Sequence, residues 1–201
     1  MRHRILPPRD FATVTPTRRR LLGLSVAALA LGAMPAIAQT GGAAPTSTRR
    51  NTAGFRNVMW QDHFDTLQNG AIVCDTSSMA VHFWSEDADS YTAYPCSVPM
   101  SENFSRKGRT EITLKRRNPT WIPTPNMRKR NPELPDSVPP GPENPMGTRA
   151  LNLSWQYYRI HGIDDPAKIG RRASNGCFGL FNHHVEDLFD RVRVGTQVVV
   201  I

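Results

Sequence analysis

Residues 157–201 read YYRIHGIDDPAKIGRRASNGCFGLFNHHVEDLFDRVRVGTQVVVI, and this stretch decides the fold. Tyr157–His161 has the aromatic and β-branched character of a strand, and that strand ends on His161. Cys177 stands sixteen residues further on, directly after Gly176. Asn182 is placed to cap a helix. Val185, Leu188, Phe189 and Val192 follow at i, i+3, i+4 and i+7, one apolar helical face. Gly195 is positioned to stop that helix. Gln197–Ile201 reads as a final buried β-branched strand.

The chemistry in this stretch is that of a thiol beside an imidazole. A cysteine attacks as thiolate and needs a base or an imidazolium nearby. Cys177 is the candidate nucleophile and His161 the candidate general base. The Gly162 carbonyl is a candidate orienting acceptor, fixing the ring tautomer without a third acidic side chain. Gly176 allows close approach of a substrate carbonyl. The N–H groups of Gly176 and Cys177 form a candidate oxyanion hole. Ser174 and Asn175 are candidate loop-orienting residues. The blander alternatives are a buried structural thiol, a core histidine and a tight glycine turn. Asp164 and Asp165 read as the turn before Pro166 rather than as a catalytic carboxylate pair. His183 and His184 match no zinc spacing, so no metal is expected, and a thiol that carries the covalent step needs no cofactor.

Upstream, Ala71–Thr76, Met79–Trp84 and Tyr91–Val98 are three short strands with turn signals between them, a β-meander. Ser85–Ser90 is its hairpin loop. Glu111–Lys115 alternates as a half-buried strand does. Residues 119–145 hold nine prolines, at 119, 123, 125, 132, 135, 139, 140, 142 and 145. That density predicts neither helix nor central strand. The segment is either a surface linker or a lid over a cleft. Of the three cysteines, Cys74 and Cys96 fall on the first and third meander strands. An intervening strand puts them about 9–10 Å apart, beyond disulfide reach.

At the N-terminus, Thr17-Arg18-Arg19-Arg20-Leu21-Leu22 precedes an apolar run to Ala33, and Ala36-Ile37-Ala38 is a small-residue cleavage signal. Residues 1–38 are therefore expected to be a signal peptide, of the twin-arginine type, for export to the periplasm or cell envelope. Residues 39–57 read as a flexible tether and 58–201 as the ordered domain. The leader carries six of the 25 basic and one of the 17 acidic side chains, which leaves a net charge of +3. Nucleic-acid binding thus loses its main support.

The segment His161-Gly162…Ser174-Asn175-Gly176-Cys177, followed by Gly195-Thr196, resembles the end of the L,D-transpeptidase catalytic domain (YkuD-type, ErfK/YbiS/YcfS/YnhG-like). Pro119-Thr120-Trp121-Ile122-Pro123-Thr124-Pro125 and Asn144-Pro145-Met146-Gly147-Thr148-Arg149-Ala150-Leu151-Asn152-Leu153 resemble two further family segments, and the likeness spans about 58–201. It implies a mainly β fold, a twisted two-sheet sandwich with one short C-terminal helix after the cysteine loop. It also implies that peptidoglycan stem peptides are joined by 3→3 crosslinks through an acyl-enzyme on Cys177, which carbapenems also acylate. An envelope protein is another acyl acceptor the resemblance allows. Two positions depart from the family. Asn175 stands where His or Ser is common, and Gly179 where Arg is strongly preferred. Water as acceptor would make the same site an L,D-carboxypeptidase, and loss of that arginine leaves open a non-catalytic wall-binding domain. If the missing side chain limits the enzyme, Gly179→Arg is expected to raise acylation; if the glycine instead makes room for a bulkier acceptor, the same change is expected to spare acylation and reduce transfer. Arg149, Arg171 and Arg172 are candidate alternative sources of the charge.

Overall fold

The structure, a computed structural model, describes residues 58–201. The expected signal peptide and tether lie outside the described residues.

The chain runs β1 (Ala71–Asp75), β2 (Ala80–Trp84), β3 (Tyr91–Pro99), β4 (Gly108–Arg117), α1 (Pro125–Arg130), β5 (Arg149–Leu153), β6 (Arg159–Gly162), β7 (Arg172–Ser174), β8 (Phe178–Leu180), α2 (Asn182–Arg191) and β9 (Gln197–Val200). The meander is present: β1 pairs antiparallel with β2, and β2 with β3. The C-terminal β9 lies parallel to β1 and antiparallel to β4. A parallel strand buried on both faces reads as an unbroken apolar run, and every residue of β1 is buried. Ile72, Cys74, Val198 and Val200 face the main core. Ala71, Val73 and Val199 face a second cluster, which Val58, Phe64 and Leu67 cover from outside.

The expected mainly β fold with a helix after the cysteine loop is present, but the sheet is barrel-like rather than a two-sheet sandwich. Its nine strands form one sheet in the order β2-β1-β9-β4-β5-β6-β8-β3-β7, and an added β2–β3 pairing closes the ring. The closure depends on β3. Tyr91–Pro95 pair with β2, Cys96 and Ser97 with β8, and Val98 and Pro99 with β7. Pro95 lacks a ladder N–H and sits where β3 changes partners. Closure leaves few exposed edges, which is how antiparallel folds avoid edge pairing.

α2 packs on β5 and β6 through Val185, Leu188, Phe189 and, just past its end, Val192. The predicted apolar face is correct, and the predicted cap is not. Phe181 occupies the N-cap, and Asn182 is the first helical residue. The helix ends at Arg191, and Gly195, with φ of 88°, turns the chain into β9. Cys74 and Cys96 are buried free thiols on β1 and β3.

The proline-rich segment departs from expectation, since α1 forms inside it. Pro125 takes the first turn, where a missing N–H costs nothing, and the Thr124 hydroxyl accepts from Met127 N–H at 3.3 Å. Trp121 and Val138 exchange backbone bonds of 2.9 Å across the segment. Fully buried Asn144 gathers its ends: Nδ2 donates to the carbonyls of Pro119, Val138 and Pro139 at 2.8, 3.0 and 2.9 Å. Its Oδ1 accepts from Met146 N–H at 2.8 Å. Asn144→Ala strands these groups in the interior and is expected to cost about 2–3 kcal/mol. A urea midpoint equal to the parent's, with unchanged protease resistance of residues 119–145, would show that Asn144 does not hold the segment.

Candidate active site

β6 and β8 run parallel with Ile160 opposite Phe178 and His161 opposite Gly179. Ile160 points into the core, so its neighbours Arg159 and His161 share the other face of β6. Cys177, one residue before β8, therefore comes to the same face. All three side chains line one cavity of about 190 Å³. Trp121, Ile122, Thr124 and Met127 form another of its walls, so the proline-rich segment covers the cleft. A larger open depression of about 310 Å³, between Ser85–Asp87 and Arg191 with Arg193, holds neither histidine nor cysteine.

His161 Nδ1–H donates to the Gly162 carbonyl at 2.5 Å. The carbonyl fixes the tautomer and leaves Nε2 as the acceptor. Burial pushes the His161 pKa down to about 4, against the raising effect of the Gly162 carbonyl, and the Arg159 charge lowers it further. The ring is thus neutral at pH 7. Burial also raises the Cys177 thiol, while Arg159 pulls it back. The resting pair is a thiol and a neutral imidazole rather than thiolate and imidazolium. The thiol donates to the Tyr157 carbonyl at 3.3 Å.

The loop before Cys177 is held by its own atoms. The Ser174 hydroxyl donates to the Cys177 carbonyl at 2.6 Å and accepts from Gly176 N–H at 3.3 Å. Ser174 thereby orients the loop, and one of the two expected oxyanion donors is engaged in the resting state. Gly176 has φ of 123°, a region that L side chains avoid. A Cβ there would also lie 3.1 Å from the Tyr158 ring and 3.3 Å from the Phe104 carbonyl. Asn175 Oδ1 accepts from the Arg130 guanidinium of α1, which lies 5.0 Å over the Phe104 ring. The departure at Asn175 thus ties the cleft cover to the cysteine loop.

Asp165 caps the short helical turn Pro166–Lys168 by accepting from Ala167 N–H at 2.9 Å, so it serves a turn as the sequence predicts, one that begins at Pro166 rather than preceding it. Asp164 pairs with Lys168 at 2.7 Å. The His183 ring stacks on Phe181 and His184 packs against Tyr94, both away from Cys177. Among the described residues, no three His, Cys, Asp or Glu side chains are grouped to hold a metal.

Two residues with site roles escape a sequence reading. Asn182 Oδ1 accepts from Thr148 N–H at 3.2 Å, and its Nδ2 donates to the Ile163 carbonyl at 3.1 Å. It lies between Gly147 and Gly162, where a Cβ would come within 2.1 and 2.2 Å of Oδ1. Gly162 is therefore small so that Asn182 can clamp the turn after His161. The other is Arg159. Its signal is the period of two, which puts it on the face of His161.

The reading of Gly179 is corrected. A Cβ at this buried position would lie 2.5 Å from Ser97 Oγ and 2.6 Å from Ile163 Cγ2. Ile163 is β-branched and stiff, so the space an arginine stem needs is filled. Gly179→Arg is expected to destabilise by roughly 1–3 kcal/mol through overpacking and to lower acylation, the reverse of the expectation from sequence. A variant that melts with the parent and acylates faster would restore the earlier view. Nor do the other arginines named from sequence supply the charge. Arg172 pairs with Glu102 at 3.5 Å, and Arg149 lies 5.7 Å over the Phe189 ring. Neither these two nor Arg171 lines the cavity.

A closed β fold with a thiol and an imidazole opening on one covered cleft is the architecture these residues define. Residues 69–200 match the L,D-transpeptidase catalytic domain (YkuD), and the chain belongs to that family. It is 46% identical over 180 residues to the L,D-transpeptidase homologue of Fuscovulum blasticum encoded as ORF 5 in the ATP synthase subunits region, covering 90% of this chain and 94% of that one. It is 37% identical over 142 residues to the ErfK/SrfK homologue of Escherichia coli K12, covering 68% of this chain but 45% of the relative. The fold is similar to an Enterococcus faecium L,D-transpeptidase mutant, with TM-score 0.51 at 17% identity, covering 66% and 50% of the two chains. It is also similar to L,D-transpeptidase 3 of Mycobacterium tuberculosis in complex with a faropenem-derived adduct. There the TM-score is 0.50 at 16% identity, covering 66% and 60%.

Proposed function

We propose that this chain is an exported peptidoglycan L,D-transpeptidase that forms 3→3 crosslinks through an acyl-enzyme on Cys177. The observation that carries the reading is the shared cleft of Cys177 and His161, with Nδ1 anchored on Gly162 and Nε2 left to accept a proton. Family membership supports the reaction class.

The donor is a stem tetrapeptide, attacked at the carbonyl between its third, dibasic residue and its terminal D-alanine. The Cys177 proton passes to His161 Nε2 as the S–C bond forms. The oxyanion is met by the Cys177 N–H, joined by Gly176 N–H when it leaves the Ser174 hydroxyl. The C–N bond then breaks, and the imidazolium protonates the departing amine of D-alanine. A side-chain amine of a second stem attacks the thioester, His161 takes its proton, and the thiol is restored. No step requires a cofactor, because the thiol carries the covalent intermediate.

Incubation of the protein with a purified disaccharide tetrapeptide tests the reading by product mass. A crosslinked dimer with free D-alanine is expected. A tripeptide monomer alone would make the protein a carboxypeptidase, and unchanged ligand retained on the protein would make it a binding domain. The filled space beside Gly179 weakens the non-catalytic alternative, since the glycine fits its own neighbours.

A further inference from the structure

Two cationic side chains line the cleft that holds Cys177, and they differ in one respect. Lys168 is paired with Asp164 at 2.7 Å. Arg159 has no carboxylate partner among the described residues. Its guanidinium donates to the Tyr157 carbonyl at 3.4 Å and stands within hydrogen-bond reach of the Cys177 sulfur, and the Cys177 thiol donates to that same carbonyl at 3.3 Å. Tyr157 holds the carbonyl there in a left-handed conformation, with φ of 69°. The structure thus places an uncompensated guanidinium and the candidate nucleophile on one acceptor. A guanidinium in a cleft with no carboxylate partner keeps its donor fork available to a ligand carboxylate.

We propose that Arg159 binds the carboxylate of the C-terminal residue that leaves in the first step, and so makes the site specific for a free chain end. The proposal rests on the reading of the chain as an L,D-transpeptidase. Its chemistry is short-range. In the donor, only the amide nitrogen and one α-carbon separate the terminal carboxylate from the carbonyl under attack. When Cys177 Sγ reaches that carbonyl, the carboxylate lies a few ångströms from the sulfur, where the Arg159 fork is. Neither Lys168, already paired, nor position 179, already filled, offers a second cation. An amidated or extended terminus leaves Arg159 unmatched. Binding has a second consequence. The Arg159 charge is one of the influences holding His161 in its weakly basic state, so a carboxylate on Arg159 strengthens the base as the substrate arrives.

The test compares acylation of the protein by two disaccharide tetrapeptides, one ending in D-alanine and one in D-alaninamide, followed by intact mass. The parent is expected to favour the free acid in kcat/KM by roughly tenfold or more, the worth of a charge-assisted hydrogen-bond pair. Arg159→Gln is expected to bring that ratio close to one, and Arg159→Lys to an intermediate value. If the glutamine variant fails to fold, the lysine variant decides alone, because a ratio equal to the parent's overturns the proposal. A parent ratio near one also overturns it. A parent that forms no acyl-enzyme with either peptide overturns the functional reading beneath it, and that failure is distinct from loss of discrimination.

Discussion

Cys177→Ala is expected to abolish acyl-enzyme formation completely, with both a tetrapeptide donor and a carbapenem. No other thiol can take over. Cys74 and Cys96 are fully buried on β1 and β3, and burial holds both thiols far above the range in which a thiolate forms. Cys177 is partly open to the cleft, with Arg159 favouring its ionised form. The fold should survive the change, because the Cys177 side chain donates only to the Tyr157 carbonyl. Cys74→Ser and Cys96→Ser should show the opposite pattern. Each places a hydroxyl among apolar core neighbours and should cost about 1–3 kcal/mol, while adducts still form on the folded fraction. An adduct of full stoichiometry on the Cys177→Ala protein would refute the assignment.

The sequence is informative here where local pattern and local chemistry coincide. β1 and β9 are short β-branched runs, β2 and β3 mix aromatic with β-branched residues between turn signals, and α2 has an unambiguous apolar face, so each is legible from neighbours in the chain. His161 and Cys177 are legible because the residue types and their spacing carry the chemistry. β7 and β8 have three residues each, too few to express a period. α1 is masked by prolines, although Thr124-Pro125 is a helix start once it is read as a cap followed by a first-turn proline. Barrel closure is not legible, because it depends on β3 changing partners and on β9 returning beside β1, more than a hundred residues apart in sequence. The same reason misled the reading of Gly179. A missing arginine looks like a lost function in one dimension. In three, Ser97 and Ile163 occupy the space, and a guanidinium stands on the adjacent strand at Arg159.

His161→Gln is expected to lower the acylation rate by roughly 10²-fold or more and to change its dependence on pH. The sequence alone places the acid limb at the ordinary histidine value of about 6.5. The structure moves it, since burial holds His161 down to about 4. A base with a lowered pKa stays unprotonated to lower pH. The parent's kcat/KM for acylation should therefore remain level from pH 7 through 5 and fall only as pH approaches 4. In the glutamine variant no base remains, and the rate should follow the small thiolate fraction, rising about tenfold per pH unit up to the raised thiol pKa. Stability gives an independent check. Between about pH 6.5 and 4 the unfolded chain binds a proton at this position that the folded protein does not, so the parent loses stability on acidification, on the order of 2–3 kcal/mol in total. The variant lacks that loss and should be the less acid-sensitive fold. A parent whose acid limb sits at pH 6.5 would mean that the ring is more open to water than the Gly162 bond and the covered cleft imply. A folded variant that acylates at the parent's rate would remove His161 from the reaction altogether.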